Sequence, residues 1–192
     1  MRFAFIIIMG LFVSACGSVP PINFSVPNVG PSATKIHAEV KVITVTLARA
    51  DEQTGPMPAN AAPLAPYWKE ALEEALDKMA IFQDDAPKKL SLSVKVLKID
   101  LPSAGISMTT DTAAHYELID RADGSVIYAT DINASGTTPG DFAFQGLARA
   151  RESLNRSVQN NILQFLQALQ TTNINQPMLP APSPAKQPKP TS

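Results

Sequence analysis

Leu90-Ser91-Leu92-Ser93-Val94-Lys95-Val96-Leu97-Lys98-Ile99-Asp100-Leu101 carries an apolar residue at every second position until Val96-Leu97, where two stand together and the phase changes. A period of two belongs to a strand with one face in a core and the other in water. The phase change predicts a bulge or a short length covered on both faces. The same signature occurs upstream in residues 36–48, where Ala38, Val40 and Val42 give way to Ile43, Val45 and Leu47. Downstream, Pro102 to Ser107 breaks the pattern, and residues 108–119 and 125–135 read as two more strands. Asp120-Arg121-Ala122-Asp123-Gly124 joins them as a hairpin connection, with Gly124 suited to a positive φ. On the fourth strand Val126, Tyr128, Thr130 and Ile132 share one face, and Gly136-Thr137-Thr138-Pro139-Gly140 is expected to stop the sheet.

Two segments change to the helical period. In residues 65–82, Trp68, Leu72, Ala75, Leu76 and Met79 fall on one face. Lys69, Glu70, Glu73, Glu74, Asp77 and Lys78 mark the solvated side, and Pro66 fits the first turn. The second helix starts at Asp141 or Phe144 and runs to Leu169, with Asp141 a candidate N-cap. Its apolar stripe is Leu147, Leu154, Val158, Ile162, Phe165, Leu166 and Leu169, while Arg149, Arg151, Glu152, Arg156 and several Gln and Asn residues face out. The order β-α-β-β-β-α predicts an α+β fold: a two-layer sandwich with a four-stranded, mostly antiparallel sheet and both helices on one face. The other face is then wet, or meets a partner, with Lys95 and Glu117 presented on it. Lys95, Glu117, Arg149, Arg151 and Arg156 are the candidate partner-facing side chains.

The ends differ in kind. Met1-Arg2 and the apolar run from Phe3 to Val13 form a charged start and a core too short to span a bilayer, which takes about 20 residues. Val13-Ser14-Ala15 then places small residues before Cys16, the single cysteine of the 192 residues. Residues 17–35 hold Pro20, Pro21, Pro27 and Pro31 and read as an extended tether, although Ile22, Phe24 and Val26 alternate and suit a path along the domain. Residues 171–192 contain six prolines and no apolar periodicity, as in a disordered or polyproline tail. The expected division is leader 1–15, cysteine and tether 16–35, α+β domain 36–170 and tail 171–192.

Val13-Ser14-Ala15-Cys16 resembles the bacterial lipobox. That resemblance implies a diacylglyceryl group on the Cys16 thiol, cleavage before Cys16 and an acylated new amine. It also implies outer-membrane retention facing the periplasm, since Gly17 rather than Asp follows the cysteine. The alternative is cleavage by an ordinary signal peptidase, leaving an unpaired thiol in an oxidising compartment. Several acyl chains, at about 0.8 kcal/mol per buried CH₂, would hold the chain on a membrane where one would not.

Loss of Arg2 with the leader leaves 15 basic against 17 acidic residues, a formal charge of −2. With no basic run longer than Lys88-Lys89, nucleic acid is not an expected partner. No Gly-x-Ser-x-Gly elbow, Gly-rich phosphate loop or paired-His zinc helix occurs, so no cofactor or metal is expected and the chain reads as no enzyme. His37 and His115 both lie in expected strands, where they could meet across the sheet beside Asp111 or Glu117. A triad of Ser107, His115 and an Asp can also be drawn.

Behind the lipobox, Trp68-Lys69-Glu70-Ala71-Leu72-Glu73-Glu74-Ala75-Leu76, Tyr116-Glu117-Leu118-Ile119-Asp120 and the long last helix are similar to a group of small envelope lipoproteins. The group includes the lipoprotein subunit of the lipopolysaccharide-assembly translocon and the auxiliary lipoproteins of ABC-type lipid transporters. The resemblance implies a non-enzymatic accessory of envelope assembly or lipid transport, with an envelope protein complex as partner and a lipid as candidate ligand. The alternatives are a structural lipoprotein of a secretion, conjugation or pilus machine, and a periplasmic transferase or hydrolase.

Overall fold

The computed structural model describes residues 19–171. The expected leader, Cys16 and the proline-rich tail beyond Thr171 lie outside the described residues. The elements are β1 (Glu39–Leu47), α1 (Leu64–Met79), β2 (Lys89–Asp100), β3 (Met108–Asp120), β4 (Val126–Thr138) and α2 (Gly146–Leu169). The four strands form one sheet in the order β1-β2-β3-β4. β1 and β2 are parallel, which requires a long crossover, and α1 is that crossover. β2, β3 and β4 form an antiparallel meander. The α+β sandwich with both helices on one face is therefore the fold observed.

Both phase changes in the apolar pattern are register shifts. β1 slips between Val40 and Val42, one position before the Val42-Ile43 pair. In β2 the slip lies between Val96 and Lys98, so Leu97 is the extra residue. Leu97 leaves the main core and forms a small second cluster with Ala48 and Ala113. Leu90, Leu92, Val94, Val96 and Ile99 stay under the helices.

α1 buries Leu64, Trp68, Ala71, Leu72, Ala75, Leu76 and Met79, a single stripe at three- and four-residue spacing. Lys69–Glu73 and Lys78–Glu74 ion pairs line its wet side. The helix ends at Ala80, which takes the left-handed conformation at φ 45° and donates its N–H to the Leu76 and Asp77 carbonyls.

α2 departs from the expected stripe. Leu147, in the first turn, is 64% exposed, while its neighbour Ala148 is buried. Asn155 and Asn161 are buried instead of facing water, and Ser153 and Ser157 are buried with them. Ser153, Ser157 and Asn161 are spaced by four, so they form one polar line directed at the sheet. Ser153 Oγ lies 2.8 Å from Thr110 Oγ1, and Ser157 Oγ lies 3.0 Å from Thr112 Oγ1 and donates to the Ala134 carbonyl. Asn161 donates to the Ile132 carbonyl at 3.0 Å and accepts from the Tyr116 hydroxyl at 2.8 Å. Tyr116 in turn accepts from Trp68 Nε1 at 3.3 Å, tying α1, β3 and α2 through one buried chain. Its ring stacks on Phe165 with centroids 4.2 Å apart.

The stop expected at Gly136 is not a stop, since β4 continues through Thr138. Gly136 is a strand glycine that admits a neighbouring backbone. A Cβ built there would lie 2.1 Å from Ser157 N and 2.4 Å from Ser153 O. Asp141 is not the N-cap either. Residues 139–145 are used in turns, and Gln145 precedes the helix without a side-chain cap bond.

Part of the segment expected as a tether lies on the domain. Phe24 and Val26 are buried, and Phe24 meets Trp68 edge-on at 6.3 Å. The Asn23 N–H and carbonyl bond Asn155 and Gln159 of α2, while Ser25 bonds Glu74 of α1. Further along, Ser32 N–H and Ile36 N–H donate to the Met79 and Ile81 carbonyls. Residues 21–26 thus lie in the seam between the two helices, and residues 32–36 follow the end of α1.

Gly136→Ala tests how closely α2 rides on β4. Because the clash is with helix backbone rather than a flexible side chain, a loss of about 3 kcal/mol is expected in urea unfolding. A loss within about 0.5 kcal/mol, the range of a neutral surface change, would contradict the close approach.

Candidate functional site on the open sheet face

The face of the sheet away from the helices is built by the alternate residues of β2, β3 and β4. Cross-strand register determines what meets there. Thr109 stands opposite Thr137, Asp111 opposite Ser135 and His115 opposite Asp131. Each pair bonds through its side chains, at 2.9 Å for Thr109–Thr137 and 2.5 Å for both Ser135–Asp111 and His115–Asp131. The other ring nitrogen of His115 lies 3.2 Å from Glu117 Oε1. Lys95, opposite His115 on β2, pairs with Glu52 at 2.8 Å. The result is a ladder of bonded polar rungs, exposed on β4 and half-buried at Lys95, Asp111, His115 and Glu117.

Burial alone would push the His115 imidazole down, but its hydrogen bonds to Asp131 and Glu117 outweigh that and hold it above the ordinary histidine range. Both nitrogens face carboxylates, so neither is left to accept a proton from a nucleophile or to bind a metal. His37 is not a partner. It precedes β1, bonds Gln83 at 2.7 Å and lies at the opposite end of β1 from Thr46, which neighbours Lys95. Ser107 is eight residues before His115 along an extended path, about 26 Å away, so the drawn triad does not assemble. Among the described residues no group of three or more His, Cys, Asp or Glu is placed to hold a metal ion.

The candidate partner-facing residues are dispersed. Lys95 and Glu117 sit on the ladder. Arg149 instead braces two loops, donating to the carbonyls of Ala143 at 2.6 Å, Phe144 at 2.9 Å and Gly105 at 3.3 Å. Arg156 bonds Glu152 and the Thr137 carbonyl and lies over the Phe142 ring at 5.5 Å. Arg151 is half-buried on α2. Asp131 and Glu52 complete the ladder and carried no mark in the sequence. Asp131 could have been found only from strand register.

A groove of about 590 Å³ opens between β1 and α1. Val40, Ile43, Leu76 and Phe82 line its floor, and Glu39, Lys41, Glu73, Asp77 and Asp84 its rim. Hydrogen bonds from Lys41 first, and Lys89 second, hold the Glu39 carboxyl down to about 2, so it is ionised at neutral pH. The charged rim suits water and polar ligands better than an acyl chain.

No protein-family model matches the sequence, and no curated protein matches it. Among solved structures, similar chain paths occur in a protein of the family DUF330 from Xanthomonas campestris (15% identity, TM-score 0.45, covering 79% of this chain and 98% of that one). Others are a hypothetical protein from Chlamydia trachomatis (12%, 0.49, 73% and 98%) and a minor lipoprotein from Acinetobacter baumannii (13%, 0.40, 78% and 99%). At these values the likenesses decide neither family nor function.

The raised His115 sets the sign of a pH effect. Stability from its two ion pairs is fully present below the unfolded histidine pKa of about 6.5 and is lost as pH rises through the higher folded value. His115→Gln is therefore expected to lower urea stability at about pH 6 and to match the parent at about pH 9. An equal penalty at both pH values would contradict the charged ladder.

Proposed function

We propose that this chain is a lipoprotein of the bacterial envelope, anchored by Cys16 to the outer membrane and facing the periplasm. The observation that carries the reading is Val13-Ser14-Ala15-Cys16 behind a charged start and a short apolar run, followed by Gly17. Two structural facts agree with it. Among the described residues no helix is long and apolar enough to cross a membrane. Residues 21–26, a few positions after Cys16, are bonded to both helices, so the domain is held short of its anchor.

The domain itself is a non-enzymatic accessory of envelope assembly or lipid transport. The ionisable groups of the ladder are paired with one another, and the polar sheet face and the charged groove are open surfaces. Such surfaces suit a protein partner more than a reacting small molecule. A structural role in a secretion, conjugation or pilus machine is the second reading, favoured by the outer strand β1, which pairs with β2 alone among the strands of the sheet.

Cys16→Ala tests the anchor. The substituted protein is expected as an unprocessed precursor or in the soluble periplasmic fraction. The parent should yield an N-terminal peptide beginning at Cys16 with acyl mass added. An unmodified Cys16 peptide from the parent, or unchanged membrane attachment of the variant, would overturn the reading.

A further inference from the structure

Four large apolar side chains stand in water at one end of the domain. Ile106 is 82% exposed, Phe144 fully exposed, Leu147 64% and Phe142 44%. They come from the β2–β3 loop, from the stretch between β4 and α2 and from the first turn of α2, and the structure draws the loop and the stretch together. A Cβ on Gly140 would lie 2.5 Å from Ile106 Cγ2, and Arg149 bonds carbonyls in both segments. The patch is therefore braced, and exposed apolar groups on braced loops mark a surface that meets something apolar.

The path of the chain says what that is. β4 ends, and both α1 and α2 begin, at this same end, while the polar hairpin at residues 121–125 closes the other. Followed backwards, the segment before β1 runs from Ile36 beside Ile81, past Ser25 at Glu74, to Asn23 and Pro21 at Asn155. It advances steadily towards the starts of both helices. From Asn155 to Leu147 along α2 is about 12 Å. From Pro21 to Cys16, extended, is about 17 Å. The acyl-bearing residue can therefore reach the patch.

We propose that this end of the domain rests on the membrane that holds the anchor, with Phe144, Leu147 and Ile106 entering the headgroup–acyl boundary and Phe142 at its edge. The inference rests on the Cys16 reading. It adds an orientation: the helices stand with their N-termini on the lipid, and the hairpin points away. Aromatic and branched apolar groups suit that boundary. Arg149, directly behind the patch and bonded only to carbonyls there, places positive charge at headgroup depth, while Arg156 is paired with Glu152.

Acylation consumes the Cys16 thiol, so an engineered cysteine is the single reactive thiol in the mature protein. Phe144→Cys and Asp123→Cys variants, acylated and labelled with a polarity-sensitive fluorophore, are placed in phosphatidylethanolamine–phosphatidylglycerol vesicles with brominated acyl chains. The label at 144 is expected to shift to the blue and to be quenched several-fold more strongly than the label at 123. The difference should vanish when Ile106→Ser and Leu147→Ser are added. Equal quenching at both positions in vesicle-bound protein overturns the docking and leaves the anchor intact. Persistence of the shift in the double serine background assigns it to the dye and also overturns the docking. Shielding at 144 in native envelopes but not in lipid vesicles assigns the patch to a protein instead. Protein that fails to float with vesicles overturns the anchor, and the docking with it.

Discussion

The fold depends on how closely α2 lies on β3 and β4. Gly136 has no side chain to hold the helix off, and Ser153, Ser157 and Asn161 place small polar groups where leucines would normally stand. Backbones this close leave carbonyls and hydroxyls without water. The helix line supplies the missing partners: Ser157 and Asn161 reach the Ala134 and Ile132 carbonyls, and the serines pair with Thr110 and Thr112. Such a network specifies one helix register, because sliding by one residue would bury every member unpaired. Tyr116 extends the constraint to α1 through Trp68, and burial pushes its hydroxyl far up, so it remains a neutral donor.

Much of this architecture was legible in the sequence. The alternation in residues 90–101 gave a strand, and its phase change at Val96-Leu97 matches the register shift found there. Element order and the stripe of α1 followed from periodicity. What periodicity could not show was burial of polar residues. Asn161 read as solvent-facing because nothing local reveals that a threonine-bearing strand lies opposite. Gly136 read as a breaker for the same reason, since a glycine that admits a helix and one that ends a strand look alike. The His115–Asp131 pair was hidden by a further step. Counting back from the hairpin puts His115 opposite Thr130, and the bulge that takes up Ile127 moves it to Asp131.

These features bear on function through what they leave over. The core consumes the helix faces and one sheet face, and the seam between helices is sealed by the chain that leads back to Cys16. Three surfaces remain: the polar ladder, the charged groove at the β1 edge and the apolar end beside the anchor. The ladder is ordered without being reactive, as its side chains meet partners within the sheet or, for Lys95, on the loop after β1. A flat, prearranged polar surface loses little entropy on docking, which favours recognition by a partner. With the apolar end on the lipid, the ladder would stand roughly upright on the membrane and face sideways, towards neighbours in the same leaflet.

The central claim is that this domain works by contact with another envelope component. In-cell photocrosslinking from Lys95 and Glu117 on the ladder, with Asp123 in the far hairpin as the reference position, tests it most directly. The account predicts one discrete adduct shared by the two ladder positions and absent from Asp123, its mass identifying an envelope protein. No adduct from either ladder position, or the same diffuse adducts from all three, would contradict it.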